Sequence, residues 1–112
     1  MAQNLVKLGE INRAEELLRL AIKGERQNSK YYQSLALLLA RQSQFEEAVS
    51  LFEQTLTLKP DFGKAHFNFA ILLMKLKRPQ ESIAHMKLAM DLGVKDPRLE
   101  KMAKFLNLKK RQ

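Results

Sequence analysis

Apolar side chains recur along this chain with the spacing of helical faces. Residues 45–58 carry them at the i, i+3, i+4 and i+7 positions that bury one side of a helix. These residues are Phe45, Ala48, Val49, Phe52 and Leu56. Residues 30–42 and 64–77 are denser in apolar side chains and contain neither glycine nor proline. The pattern therefore predicts helices over all three segments.

Capping residues mark the expected ends of the helices. Gly93 follows an apolar segment and predicts a C-terminal cap, and Asp96-Pro97 predicts the start of a last helix. Ser43, followed three residues later by Glu46, predicts a capping box at the start of the next helix. The connections are short, so we expect successive helices to pack antiparallel.

The chain repeats itself with a period of 34 residues. This shift aligns small or apolar residues in most columns, and the acidic Glu47 with Glu81 in another. The aligned sets include Ala14 with Ala48, Leu5 with Leu39 and Leu73, Leu18 with Phe52 and Met86, and Ile22 with Leu56 and Met90. A fixed period held over three copies predicts an array of repeated helical units.

These columns resemble the tetratricopeptide repeat family, whose helix-turn-helix unit is 34 residues long. The family's first-helix signature is matched by Tyr32, Leu35, Ala36 and Leu39, and again by His66, Phe69, Ala70 and Leu73. Its second-helix signature is matched by Ala48, Phe52 and Pro60, with Thr55 replacing an alanine, and more loosely by Ser82, Met86 and Ala89. The resemblance implies an all-α, right-handed α-solenoid of antiparallel helix pairs.

The resemblance also implies one domain made of repeats. We expect a truncated repeat, two full repeats and a capping helix, over 1–28, 29–62, 63–96 and 97–112. The truncated copy keeps only the tail of its first helix, so a helix is expected over 10–24 with Gly9 and Gly24 at its ends. The total would be seven helices, or six and a remnant.

Basic residues are concentrated in two columns of the repeat. The chain has 20 Lys and Arg against 12 Asp and Glu, a net charge of +8, which favours acidic partners. One column contains Lys30, Lys64 and Arg98, and the other contains Lys7, Arg41, Lys75 and Lys109. In the family, the first helix of each repeat lines a concave groove, so the resemblance places both columns along that groove.

Apolar and polar residues lie between the two basic columns on the same helices. They are Gln33, Ser34, Leu37, Phe67, Asn68, Ile71, Met74, Lys101 and Phe105. Together with the basic columns they form the predicted binding site. Apolar contacts would supply most of the affinity there, and the basic columns would steer an acidic peptide or helix into place.

Two other functions remain open. The basic groove could bind nucleic acid, with Phe67, Phe105 and the Tyr31/Tyr32 pair stacking on bases. The chain could also self-associate through its N-terminal edge, where the truncated repeat leaves Ile11, Leu18 and Ile22 under-covered.

The sequence offers little chemistry for catalysis. There is no cysteine, and the glycines stand alone rather than in a phosphate-binding loop. His66 and His85 lie in different columns, His66 as a packing residue and His85 facing solvent. We therefore expect a non-enzymatic protein with no catalytic residue, cofactor or metal. No apolar run is long enough to span a membrane and no signal-peptide core is seen, which predicts a cytoplasmic protein.

Overall fold

A computed structural model describes the backbone of residues 2–106 and the side chains of residues 7–106. Over these residues the chain forms six helices and no strand, which confirms the all-α prediction. The helices are α1 (Ala2–Gly24), α2 (Ser29–Arg41), α3 (Phe45–Leu58), α4 (Gly63–Lys75), α5 (Pro79–Asp91) and α6 (Pro97–Phe105). Two units divide the chain, Met1–Leu58 with α1 to α3 and Lys59–Gln112 with α4 to α6.

In the first unit, α2 packs against both α1 and α3. The repeat's small residues permit this approach, since Ala36 and Ala48 are completely buried where the two helices of the pair meet. Buried Thr55 satisfies its hydroxyl locally by donating to the carbonyl of Leu51 at 2.7 Å. On the surface, the Arg19 guanidinium bridges Glu15 and Glu47 at 3.0 and 2.9 Å, which ties α1 to α3.

The second unit has a core to which all three of its helices contribute. The core consists of Phe67, Ala70, Met86, Ala89 and Leu99, with partly buried apolar residues around it. Ser82 stands where the repeat has alanine in its earlier copies, and it is fully buried. Its hydroxyl donates to the carbonyl of Ala70 at 2.7 Å, so the substitution adds a hydrogen bond between α5 and α4 instead of an unpaired polar group.

Helices α2 and α4 end in equivalent left-handed turns. Ser43 and Lys77 are 34 residues apart, and their φ angles are 61° and 59°. The amide after each returns to a carbonyl of the preceding helix, from Gln44 to Leu39 and from Arg78 to Leu73, both at 2.9 Å. The capping-box prediction for Ser43 was therefore wrong, because this residue terminates α2 and does not cap α3.

Other predicted boundaries are confirmed. Gly93 follows α5 with φ 83°, and the Asp96 side chain accepts a hydrogen bond from the Arg98 amide at the start of α6. Pro97 is the first residue of α6. None of the helices over the described residues is long and apolar enough to cross a membrane.

The first helix differs from the sequence prediction. Gly9 lies in the repeat column of Ser43 and Lys77, where the other copies turn, yet α1 continues through it as one helix of 23 residues. A continuous helix pairs backbone groups that a turn would release, and a glycine inside a helix costs only about 1 kcal/mol.

Candidate peptide-binding surface

In the first unit, the predicted site residues of α2 share one face of the helix. Lys30, Ser34 and Arg41 are exposed, and Gln33 and Leu37 are half-buried. This face lies opposite the buried side that carries Leu35, Ala36 and Leu39. Lys30 and Arg41 are separated by about 16 Å along the helix axis. On α1, Lys7 is exposed.

In the second unit, predicted residues from α4 and α6 meet around a cleft of about 560 Å³. This basic cleft lies where the start of α4, the connection after α5 and the start of α6 come together. Its charged lining residues are Lys59, Lys64, Lys95, Arg98, Asp61 and Asp96. Asn68 lies in the same lining.

Arg98 and Asp96 neutralise each other at the edge of the basic cleft. The guanidinium donates to both carboxylate oxygens of Asp96 at 3.1 and 3.2 Å, and these bonds hold the pKa of Asp96 below its ordinary value. The same guanidinium lies 5.1 Å from the centre of the Phe67 ring. The remaining lining charges are three lysines against Asp61, so the cleft has a positive potential that attracts anionic groups.

Close backbone packing forms one wall of the basic cleft. Gly63 begins α4 directly against the connection after α5. A Cβ atom at this position would lie 2.7 Å from Cγ2 of Val94 and 3.3 Å from Cβ of Leu92. Only glycine fits without moving these side chains, so the residue sets the distance between the two sides of the cleft.

A second cleft of about 440 Å³, the apolar cleft, lies between the C-terminal ends of α4 and α6. Its lining residues are Met74, Lys101, Met102, Phe105 and Leu106. The Phe105 side chain is 89% exposed, and two methionines beside it supply flexible apolar surface. Lys101 adds a positive charge to the lining of the apolar cleft.

Some predicted site residues contribute little or lie outside the two clefts. Phe67 belongs to the lining of the basic cleft, but it packs in the core under α6 and is only 3% exposed, so it offers little surface to a ligand. Ile71 is half-buried against the same core, and Lys75 is exposed at the end of α4. Lys109 lies outside the described residues. The sequence prediction missed Lys59 and Lys95, since neither belongs to a first helix of the repeat.

The sequence of the chain matches a family model for the tetratricopeptide repeat over residues 39–104. The chain belongs to the tetratricopeptide repeat family. Both helix pairs, α2 with α3 and α4 with α5, begin at the repeat starts that the sequence predicts, Ser29 and Gly63.

The curated relatives that the chain matches are much longer than the chain. It is 39% identical over 62 residues to the protein O-mannosyl-transferase Tmtc3 of Drosophila melanogaster, covering 55% of this chain and 7% of that protein. It is 32% identical over 77 residues to tetratricopeptide repeat protein 8 of Homo sapiens, covering 69% of this chain and 14% of that protein. The matches therefore concern a small part of each relative.

A solved structure shows the same helical-repeat fold. The type III secretion chaperone SycD of Yersinia enterocolitica, in complex with a peptide of the translocator YopD, matches with a TM-score of 0.73. The match covers 95% of this chain and 81% of SycD at 15% sequence identity. At that identity the likeness shows the fold.

A histidine pair links α4 and α5. The Nδ1 atoms of His66 and His85 are 2.9 Å apart, and Nε2 of His66 is 2.7 Å from the carbonyl oxygen of Pro60. A carbonyl only accepts hydrogen bonds, so Nε2 of His66 donates to Pro60. The two Nδ1 atoms form a hydrogen bond whose donor depends on the tautomers of the two rings.

The surroundings of His85 differ from the sequence prediction. Its ring is half-buried, with its centre 4.7 Å from that of Phe69, so the solvent-facing interpretation was wrong. Burial lowers the pKa of His85 below its usual 6.5, and His66 lowers it further. Within the described part of the chain, no group of three His, Cys, Asp or Glu side chains is arranged to hold a metal ion.

Proposed function

We propose that the chain is a protein–protein interaction module that binds an acidic, partly apolar peptide. One observation carries the proposal: the same two helices, α4 and α6, contribute to both the basic cleft and the apolar cleft. Exposed lysines attract and orient an acidic segment, and burial of an apolar side chain supplies binding energy. Nothing in this function needs a catalytic group, a cofactor or a metal.

The fold comparison supports a peptide as the ligand. SycD shares the fold and is seen in complex with a peptide. In the first unit, the exposed face of α2 offers the same kinds of side chain, with Lys30 and Arg41 at its ends and Leu37 between them. We assign this face the same role.

Selection from a random peptide library displayed on phage tests the proposal. Peptides retained by the chain are expected to be enriched in Asp and Glu together with large apolar residues, relative to the input library. The double variant Lys64→Glu/Lys101→Glu should lose this enrichment, because it reverses a charge at each cleft. Both residues are exposed, so the melting temperature should change by only a few degrees.

A matched control is Arg13→Glu/Lys87→Glu, which makes the same change in net charge at exposed positions of α1 and α5. It should retain the selected peptides. Lys59 is unsuitable as such a control because it lines the basic cleft. Equal loss of binding in both double variants would show a general charge effect and would overturn the proposed site.

A nucleic-acid ligand has less support. Of the four aromatic residues considered for stacking, Tyr32 and Phe67 are buried, and the Tyr31 hydroxyl donates to Glu25 at 3.0 Å. Phe105 is the exposed one. A stacking platform needs several accessible rings, so this arrangement favours the peptide.

Self-association through α1 is a second candidate, and a specific observation favours it. Leu17 and Leu20 are 59% and 63% exposed, whereas Ile11, Leu18 and Ile22 are half-buried. In the repeat, Leu17 aligns with Leu51, which is buried in α3. The position of Leu17 is therefore covered in α3 and open in α1, and we propose that a second copy of the chain covers it together with the neighbouring Leu20.

Sedimentation velocity over a concentration series tests this candidate. We expect a monomer–dimer equilibrium that Leu17→Glu/Leu20→Glu shifts to monomer, because a dimer would bury the new charges. The control Leu88→Glu, at an exposed apolar position of α5, should leave the equilibrium unchanged. A monomer at every concentration would exclude self-association.

A further inference from the structure

The helices α4 and α6 run in the same direction from the basic cleft to the apolar cleft. Lys64 and Arg98, near the starts of the two helices, line the basic cleft. Met74 and Phe105, near their ends, line the apolar cleft. At 1.5 Å per residue, the two clefts are about 15 Å apart along α4 and about 10 Å apart along α6. A single short ligand can therefore reach both.

The two clefts recognise different chemistry. The basic cleft presents the ammonium groups of Lys59, Lys64 and Lys95, which suit a carboxylate side chain. The apolar cleft presents the thioether side chains of Met74 and Met102 beside the exposed ring of Phe105, which suit a leucine, methionine or aromatic side chain. A ligand that occupies both needs an acidic group and an apolar group at a fixed separation.

We infer that this surface binds one extended peptide segment whose acidic residue and apolar anchor are three to five residues apart. An extended chain advances about 3.3 Å per residue, so about three to five residues cover the 10 to 15 Å between the clefts. A helical ligand would need about seven to ten residues for the same span. An isolated helix that short is marginal in water, whereas extended conformers are common in unfolded chains. The inference rests on the proposed function and adds a spacing rule, the separation between the acidic residue and the apolar anchor of the ligand.

Synthetic peptides of fixed composition test the spacing rule. Each contains one Glu-Glu pair and one Leu in a Gly/Ser background, with the separation varied from about one to nine residues in both orders. Fluorescence anisotropy of labelled peptides with the 112-residue chain gives the dissociation constant of each. The tightest binding is expected at a separation of three to five residues, in at least one of the two orders.

Two cleft variants, crossed with altered peptides, assign each end of the ligand. Lys64→Gln should weaken the Glu-Glu peptide but not its Gln-Gln counterpart, and Phe105→Ala should weaken the Leu peptide but not its Ser counterpart. The expected loss at Phe105→Ala is about tenfold, the equivalent of one partly buried apolar side chain. Lys87→Gln and Leu88→Ala, on exposed positions of α5, are the matched controls and should change neither. Circular dichroism confirms that each variant is folded.

The results separate this inference from the proposed function. If binding is independent of separation but still falls in both cleft variants, the spacing rule is wrong and the peptide-binding function stands. An optimum at seven to ten residues identifies a helical ligand and also overturns the rule. If no Glu-Glu/Leu peptide binds more tightly than the Gln-Gln/Ser control, both the rule and the proposed function of this surface fail.

Discussion

His66 and His85 share a single hydrogen-bonding proton between their Nδ1 atoms, 2.9 Å apart. The ring centres are 5.1 Å apart, so the two nitrogens lie between the rings and face each other. The repeat one period earlier has Tyr32 and Leu51 in these columns. Tyr32 donates its hydroxyl to the carbonyl of Arg26, just as His66 donates to Pro60. The histidine pair therefore adds a polar contact to a position where the other repeat has only an apolar one.

The histidine pair should make the stability of the folded chain depend on pH. His85 is more acidic in the folded chain than in the unfolded chain, because burial and His66 disfavour its charged form. Glu81 lies four residues before His85 on α5 and raises the pKa of His85. The Glu81 carboxylate, however, forms an ion pair with Arg78 at 2.7 Å. Below about pH 6.5 the unfolded chain therefore binds more protons, so the free energy of unfolding falls as the pH falls. The melting temperature between neutral and mildly acidic pH measures this.

The control is the double variant His66→Tyr/His85→Leu, which copies the Tyr32 and Leu51 pair of the first unit. The tyrosine hydroxyl is expected to replace the hydrogen bond to Pro60, and the variant has no imidazole at the site. Its melting temperature should fall less steeply with acidification than that of the natural chain. Identical slopes would show that carboxylates alone produce the acid sensitivity.

Glycine at the left-handed turns should stabilise the chain. Ser43 and Lys77 have φ angles near +60°, which cost a residue with a Cβ atom about 1 kcal/mol. We expect Ser43→Gly and Lys77→Gly each to raise the free energy of unfolding by about 0.5–1 kcal/mol, since the gain is partly offset by glycine's greater freedom in the unfolded chain. Urea denaturation measures this. Lys77→Ala removes the same side chain but keeps the strain, and a gain as large as that of Lys77→Gly would contradict the explanation.

Adding a single carbon at Gly63 should disrupt the wall of the basic cleft. In Gly63→Ala the new Cβ would lie 2.7 Å from Cγ2 of Val94, so the connection after α5 must move. We expect a loss of about 1–3 kcal/mol in the free energy of unfolding. The double variant Gly63→Ala/Val94→Ala should recover part of this loss, because it removes the clashing methyl group. If Gly63→Ala is as stable as the natural chain, the close approach is not required.

Overpacking the contact between α4 and α5 should also destabilise the chain. Ala70 is completely buried, and its carbonyl accepts the Ser82 hydroxyl. Ala70→Leu is expected to cost about 1–3 kcal/mol, because the larger side chain must separate the helices. Thermal denaturation gives the change. The control Ala84→Leu adds the same atoms at an exposed position of α5 and should have little effect.

Much of the fold is determined by the sequence. Helix pairs follow from a 34-residue period in which the small residues Ala36, Ala48 and Ala70 recur at the close contacts. The end of α5 at Gly93 and the start of α6 at Asp96 follow from local capping chemistry. These features can be read from the chain because each depends on neighbouring residues or on a regular period. Gly9 is the exception, since helix continuation there outweighs the turn that the period predicts.

Tertiary structure decides which residues form the candidate site. Phe67 looks like a surface residue in the repeat pattern, but α6 packs over it and buries it. Lys59 and Lys95 lie outside the first helices, and they reach the basic cleft because the start of α4 packs against the connection after α5. His66 and His85 fall in different columns and are brought together by the packing of α4 on α5. Periodicity reports which face of a helix is buried, whereas these contacts depend on which other segment covers that face and how closely it approaches.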